Sequence, residues 1–450
     1  MTTVVLGLGI AGWSAARLRH QQGIPVQVAD EQDHDTLRVR QQILVDMGIP
    51  VVLGQPFTLE AGVSEVIVSP GIAWHHPVLN RARSLGIPVK GEAEVAWESL
   101  SHLPWVAITG TNGKTTTTAL VAHIFTAAGY EAVACGNIGL PLCQVALETL
   151  QGSRHPQWII AELSSYQIES SPGIHPRIGL WTTFTPDHLE RHGTLEHYAA
   201  IKASLLRHAG IPILNGDDPY LWSQRQHWPQ GQWVKIGVDK HLEGVVSTLD
   251  GDTLYRQGSL PLPLGDFARR LPGHHNLQNL LMAVTAATVA GIPDAAIEHS
   301  IATFAGVPHR LETVRVLGGI RFINDSKATN YEAALVGLTA ITGPVLLIAG
   351  GKPKIGDDQA WLEQIRQHVQ AVYLIGEAAP AFAQRLQQVG YDDYKIVHTL
   401  DQAVTLAYNR AQQIAPCTVL FSPACASFDQ YRNFEERGEH FRQCCHALDG

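Results

Sequence analysis

Short apolar runs recur along the chain, separated by longer stretches in which apolar positions return at helical spacing. TTVVLGLG, IPVQVAD, IPVVLG and EVIVSPG alternate with helices predicted from about Trp13 to Gly23 and onward to about Gly48, which is the pattern of βαβ units on a parallel sheet. A second series begins at WVAITG. It continues through a helix near Thr115 to Gly129, the strands WIIAELS and RIGLWTTF, a helix near Leu195 to His208, and IPILNG. A third follows Gly306, with IRFINDS, a helix through Leu338, PVLLIAGG, a helix near Trp361 to Val369, AVYLIGE, a helix to Gly390, and TVLFSPA. The predicted fold is α/β in three domains, residues 1–93, 94–306 and 307–450, with seams near Gly91 to Glu94 and Gly306 to Pro308. From Gln224 to Leu264, short alternating runs rich in Trp, Gln and Gly predict an antiparallel insertion. The longest uncharged run, Ala333 to Gly351, approaches membrane length, but Thr339, Thr342, Gly343 and Pro344 split it into a helix, a turn and a buried strand.

Composition narrows the class. The 450 residues suffice for several cores, and 32 Lys+Arg against 41 Asp+Glu leave a net charge of -9, which disfavours nucleic acid and anionic membranes as partners. Six scattered cysteines form no C-x-x-C pair and fit neither a disulfide framework nor a zinc ribbon. The opening MTTVVLGLGIAGW has no cationic region ahead of its apolar strand, so no secretory signal is expected, and a cytoplasmic location is.

The sharpest chemical signal is Ile108-Thr109-Gly110-Thr111-Asn112-Gly113-Lys114-Thr115-Thr116, between a predicted strand and a predicted helix. Glycines there let backbone N–H groups approach phosphates, Lys114 supplies a cation, and the Thr115 hydroxyl can join the shell of a Mg²⁺ ion. Ile108 stands where the general phosphate-loop pattern has its first glycine. Glu162 ends the apolar run WIIAE, where a lone carboxylate is costly to bury, so a metal or phosphate site is its natural partner. His188, in DHLERHG, is one of 22 histidines and on its own reads as an ordinary surface or core residue; Lys202 follows it.

Gly7-Leu8-Gly9-Ile10-Ala11-Gly12 follows a strand and opens a helix, and Asp30 ends the next strand. This matches the dinucleotide fingerprint, though the physics demands only a diphosphate on a helix N-terminus. Ser69-Pro70-Gly71 falls at the same crevice, or is a simple turn. Farther on, Asn276 and Asn279 share a helix face, suiting a base edge or a helix start. Arg310, Asp325 and Lys327 sit beside apolar runs. Lys354 and Ser427 follow buried strands and are candidates for holding a substrate carboxylate, while Cys425 reads as a small packing residue.

Taken in order, ITGTNGKTTT, AELSSYQ, DHLERHG, LPGHHNLQN, HRLE, NDSKATN and SPACASFDQYRNFEERG resemble the segments of the Mur ligase family across essentially the whole chain. The first is shared with folylpolyglutamate synthases; NDSKATN and SPACASFDQ are similar to the branch that adds D-glutamate. The resemblance implies a Rossmann-like first domain for the UDP part of an acceptor, a central P-loop ATPase-like domain, and a Rossmann-like C-terminal domain. It implies an ATP-dependent acid–amino-acid ligase acting in peptidoglycan precursor synthesis, joining D-glutamate to UDP-N-acetylmuramoyl-L-alanine. Another Mur-type or folylpolyglutamate-type ligase with a different amino acid is the alternative.

By the same resemblance, Ile10, Ala11, Asp30, Ser69, Gly71 and Asn137 meet the acceptor. Gly110 through Thr116 with Asn276, Asn279, Arg310 and Asp325 meet ATP. Two Mg²⁺ ions fall to Thr115, Glu162, His188 and a carbamylated Lys202, and Lys114, Glu162, His188 and Lys202 are the catalytic set. Lys327, Thr329, Lys354, Ser427 and Phe434 hold D-glutamate, and a monomer is expected. Two rivals compete: an NAD(P)-dependent oxidoreductase, which leaves ITGTNGKTTT unexplained, and a non-catalytic nucleotide binder, which does not need the Glu162, His188 and Lys202 set.

Overall fold

The computed structural model describes residues 2–238, 245–271, 273–353 and 356–448, without the side chains of 269 and 270. Three sheets follow one another along the chain. The first comprises β1 (Thr2–Leu6), β2 (Val26–Asp30), β3 (Val51–Leu53), β4 (Val63–Val68) and β5 (Val89–Gly91), all parallel, in the order β3-β2-β1-β4-β5. Its first helix, Ile10–Gln21, starts at Ile10 rather than at Trp13. The earlier start depends on Gly12, because a Cβ there would lie 1.9 Å from the Gly7 carbonyl oxygen.

The second sheet comprises β6 (Trp105–Thr109), β7 (Ala132–Gly136), β8 (Trp158–Glu162), β9 (Ile178–Trp181), β10 (Ile211–Asn215), β11 (Gln232–Ile236), β12 (Val245–Asp250), β13 (Thr253–Arg256) and β14 (Leu262–Pro263). Their order is β14-β13-β12-β11-β10-β9-β6-β8-β7, which places the wholly buried β6 between β8 and β9. The expected antiparallel insertion is corrected here. β10, β11 and β12 pair in parallel and extend the main sheet, and only β13 and β14 run antiparallel at its edge. The helix Pro219–Ser223 and the turn after it carry the chain back across the sheet, as parallel pairing requires. RIGLWTTF also yields a shorter strand than expected: β9 stops at Trp181 because the Thr182 and Thr183 hydroxyls turn to the phosphate loop and donate to the Asn112 carbonyl.

The third sheet comprises β15 (Glu312–Leu317), β16 (Ile320–Asn324), β17 (Val345–Gly350), β18 (Val369–Ile375), β19 (Tyr394–His398) and β20 (Cys417–Phe421), in the order β15-β16-β20-β17-β18-β19. All pairs are parallel except the edge pair β15–β16. Because β20 enters between β16 and β17, the loops leaving these three strands gather at one end, where a doubly wound sheet places its ligand.

Contacts divide the chain into two compact units. One holds residues 1–265 and 278–304, the other residues 266–277 and 305–450. Within the first unit the first two sheets share a hydrophobic core, in which Ala15 and Leu18 of the first helix lie with Ala93 and Ala96 and with Leu142, Val145 and Ala146. The second unit has one core on each face of its sheet, around Trp361 and Phe382 and around Phe421 and Phe441. No helix among the described residues is long and apolar enough to cross a membrane.

Candidate active site

The phosphate loop joins β6 to the helix Lys114–Ala127, and glycines shape it. Gly110 has φ +151°, and a Cβ there would meet the Thr182 hydroxyl; Gly113 caps the helix at φ +81°, and a Cβ there would press on Asn279 Oδ1. Loop amides are held from outside, with Thr111 N–H donating to the Thr183 carbonyl and Asn112 N–H to Thr183 Oγ1. The Thr111 hydroxyl reaches the Thr185 carbonyl and lies 3.3 Å from the Tyr198 hydroxyl. Asn279, on the long helix His274–Ala290, accepts a hydrogen bond from Thr117 Oγ1 at 3.2 Å, so it buttresses the helix behind the loop. The result is a rigid cup whose open side is a helix N-terminus, which favours an anion.

Two lysines converge on that cup. Lys114 Nζ donates to the Gly110 and Thr111 carbonyls, both at 2.9 Å. Lys202, from the helix Leu195–Arg207, is 1 % exposed and donates to the same Gly110 carbonyl at 3.0 Å and to Thr109 Oγ1 at 3.4 Å. Burial, and next the charge of Lys114, pull the Lys202 amine well below the ordinary lysine range, against the opposing pull of Asp187 and Glu162. Thr115 and Thr116 are both buried at the helix start.

Glu162, at the end of β8, is 1 % exposed. Its Oε1 accepts from Asn137 Nδ2 at 2.9 Å, and its Oε2 has no hydrogen-bond partner among the described residues. A buried carboxylate oxygen without a donor asks for a cation, and the hydroxyl of Thr115 with this carboxylate is an oxygen donor set of the kind Mg²⁺ takes. His188 adopts a left-handed backbone at φ +55°, uncommon for a residue with a Cβ. Its ring stands beside the Tyr166 hydroxyl at 3.1 Å and the Asp187 carboxylate at 3.4 Å.

Ile10, Ala11, Asp30, Ser69 and Gly71 of the first-sheet loops meet Asn137, which follows β7 of the second sheet, in one cavity of about 540 Å³. Asp30 shapes it by accepting from the backbone amides of Leu8 at 2.7 Å and Gln32 at 2.9 Å, and the Ser69 hydroxyl donates to the Gly7 carbonyl. Asn137 thus belongs to two places at once, the wall of this cavity and the carboxylate Glu162. Gly136 makes this possible, since at φ +101° a Cβ would strike the Glu162 carbonyl. Phe57 and Gln167 also line it, and sequence reasoning missed them because neither belongs to a glycine motif.

Asn276, Arg310 and Asp325 belong to the second unit. Asp325 is buried and accepts from Ser422 Oγ at 2.8 Å and from Leu311 N–H at 3.2 Å. Burial raises its carboxyl to about 7 despite the opposing charge of Arg310. At the ends of β16 and β20, Lys327 Nζ lies 5.0 Å from the Phe434 ring, and Ser427 is buried. Thr329 N–H donates to the Lys327 carbonyl, which folds that loop tightly. Lys354 lies outside the described residues. Sequence reasoning also passed over Arg437. Its buried guanidinium donates to the carbonyls of Ser326, Cys425 and Ala426 and to Ser326 Oγ, tying the β16 and β20 loops together. The only trace of it along the chain was its place in NFEERG.

Three family models match the chain in order: the MurD-like N-terminal domain of Mur ligases over residues 1–91, the Mur ligase middle domain over 108–287, and the Mur ligase glutamate ligase domain over 309–425. Fold, phosphate loop and full-length relatives agree, and the chain belongs to the Mur ligase family. It is 59 % identical to the UDP-N-acetylmuramoylalanine--D-glutamate ligase of Synechococcus sp. (strain JA-3-3Ab), covering 99 % of this chain and 98 % of that protein. Identity to the protein of the same name from Thermosynechococcus vestitus is 53 %, covering 99 % and 100 %. Among solved structures, the UDP-N-acetylmuramate-alanine ligase MurC of Thermotoga maritima shares the fold, with a TM-score of 0.62 at 18 % identity over 99 % of both chains. MurF from Acinetobacter baumannii gives 0.62 at 18 % over 96 % and 99 %.

Proposed function

We propose that this chain joins D-glutamate to UDP-N-acetylmuramoyl-L-alanine at the expense of ATP, in the synthesis of peptidoglycan precursors. Relatives 51–59 % identical over 99 % of the chain carry the name of that ligase. The single geometric observation that carries the reading is Asn137, which lines the first-sheet cavity and donates to Glu162 beside the phosphate loop. A nucleotide-linked acceptor in that cavity would present its carboxylate where the γ-phosphate of ATP ends. The same junction disfavours a dehydrogenase, whose cofactor would need no phosphate cup beside it.

The carboxylate oxygen attacks the γ-phosphorus, the bond to the β,γ-bridging oxygen breaks, and ADP leaves an acyl phosphate. The neutral amine of D-glutamate then adds to the acyl carbon, and collapse of the adduct breaks the acyl C–O bond and expels inorganic phosphate, with the amine proton lost to solvent or phosphate. Phosphoryl transfer calls mainly for alignment and charge neutralisation. Lys114 would supply charge by exchanging its two loop carbonyls for phosphate oxygens, and amides of the first helical turn would hold the rest. Thr115, Glu162, His188 and Lys202 are the residues we assign to Mg²⁺, which when bound would neutralise phosphate charge. For Lys202, a carbamate is consistent with an amine whose burial disfavours the protonated form, since it is the unprotonated amine that adds CO₂. Asn279 would act on ATP through the loop it braces, and Asn276, Arg310 and Asp325 would contact the nucleotide. D-Glutamate, with two carboxylates, would be held by Lys327, Thr329, Lys354, Ser427 and Phe434. Residues 1–93, 94–306 and 307–450 would then serve acceptor, ATP and amino acid in turn. A cytoplasmic monomer fits substrates made inside the cell.

The test is phosphate release from ATP, with the chain replete in Mg²⁺, across UDP-sugar acceptors paired with D-glutamate, L-alanine, L-lysine or diaminopimelate. Release that needs both UDP-N-acetylmuramoyl-L-alanine and D-glutamate is expected. Release with another amino acid in its place would assign the chain to a different ligase.

A further inference from the structure

On two helices of the third sheet, three metal-ligand side chains that the proposed reaction does not use converge. Asp401 lies in the first turn of the helix Leu400–Ile414, while His440 and Cys444 stand one turn apart on the helix Phe434–His446. Their ligand atoms all lie within 4.8 Å of one another. His440 Nε2 is 3.1 Å and Cys444 Sγ 3.6 Å from Asp401 Oδ1. Tetrahedral Zn²⁺ with bonds of about 2.0–2.3 Å sets its N, O and S ligands roughly 3.3–3.6 Å apart, so the two spacings from Asp401 need to change by only a few tenths of an ångström.

Two further features suit a metal. The Tyr431 hydroxyl lies 2.8 Å from His440 Nδ1, which orients the ring with Nε2 toward the cluster, as partners of metal-bound imidazoles do. The Asp401 side chain is 65 % exposed, leaving solvent access for entry and for a water as fourth ligand. Cys444 is half-buried with its Sγ–H directed at the Asp401 carboxylate, and a bound cation would take the place of that proton. A second group, His75, Glu169 and His197, is a poorer case because Arg191 already pairs with Glu169 at 3.3 Å.

We infer that Asp401, His440 and Cys444 form a binding site for a thiophilic divalent cation of the Zn²⁺ class, pinning the helix that begins at Phe434 to the helix Leu400–Ile414. The site is independent of the magnesium residues, which offer oxygen and nitrogen but no sulfur. The full chain, reduced and stripped with chelator, would be titrated with Co²⁺ and followed by absorption. Binding at this site gives a thiolate-to-cobalt charge-transfer band in the near ultraviolet, saturating at one equivalent and displaced by Zn²⁺. Cobalt at the magnesium residues gives none. The other five cysteines are buried. The band should vanish in Cys444→Ser, and its apparent affinity should fall at least tenfold in His440→Ala, with phosphate release by the ligase unchanged in both. Absence of the band in the unaltered chain, or its survival in Cys444→Ser, would overturn the inference.

Discussion

Glu92 offers a prediction whose size follows from its surroundings. It opens the helix Glu92–Leu100, is 1 % exposed, and accepts the backbone amide of Cys143. Burial raises its carboxyl from 4.5 to about 7. The folded chain therefore keeps the proton over a range in which the unfolded chain has lost it. Stability from this group is complete below pH 4.5 and drains away as pH rises to about 7. A displacement of 2.5 pH units (7 − 4.5) corresponds to roughly 3 kcal/mol at about 1.36 kcal/mol per unit. Glu92→Gln keeps the shape and the acceptor for the Cys143 amide but has nothing to ionise. Denaturant unfolding followed by tryptophan fluorescence, to which the edge-to-face pair Trp97 and Trp105 contributes, should find the variant more stable than the parent by about 3 kcal/mol at pH 8. At pH 4.5 the two should nearly coincide. Other buried acids, Asp325 among them, tilt both proteins alike and cancel in the difference. Two stability curves that stay parallel from pH 4.5 to 8 would show that Glu92 is not a buried acid in the sense argued.

Three further outcomes follow from the phosphate cup. Lys114→Ala should lower phosphate release by about 10²–10³-fold with an unchanged circular dichroism spectrum, and a rate near that of the parent would remove the loop from the chemistry. In Asn137→Ala, Glu162 loses the donor to Oε1, so activity should fall about 10–100-fold and the Mg²⁺ requirement should rise; an unaltered magnesium titration would separate Asn137 from the metal. Lys202→Ala should cripple turnover and be partly restored by a small exogenous carboxylate, whereas full activity without any addition would exclude Lys202 from the metal shell.

Local order along the chain made the phosphate loop legible, because strand, glycines, lysine and helix start are consecutive residues whose conformations depend on one another within one turn. The same holds for the Ile10 and Ala11 turn and for Asp30, whose backbone partners Leu8 and Gln32 sit at the tips of neighbouring strands. The three α/β series were equally readable from runs of buried apolar residues. Where apolar alternation left direction open, it misled: β11 carries an antiparallel-looking pattern, yet it pairs in parallel with β10 because the helix Pro219–Ser223 between them brings the chain round. His188, ordinary among 22 histidines in the sequence, is set apart by its place beside Tyr166 and Asp187; its left-handed backbone it shares with His309 and His398.

Sequence alone thus determined the phosphate loop, the sheet-forming runs and the family, since each is written in neighbouring residues. Only the tertiary structure decided that Asn137 joins a cavity wall to Glu162, that Lys202 lies beneath Gly110, and that Arg437 laces two loops of the third sheet. These contacts join residues 25, 92 and 111 positions apart. No local preference encodes such a pairing; it exists because stacking buried strands side by side carries their ends, and the polar groups on them, to a common edge.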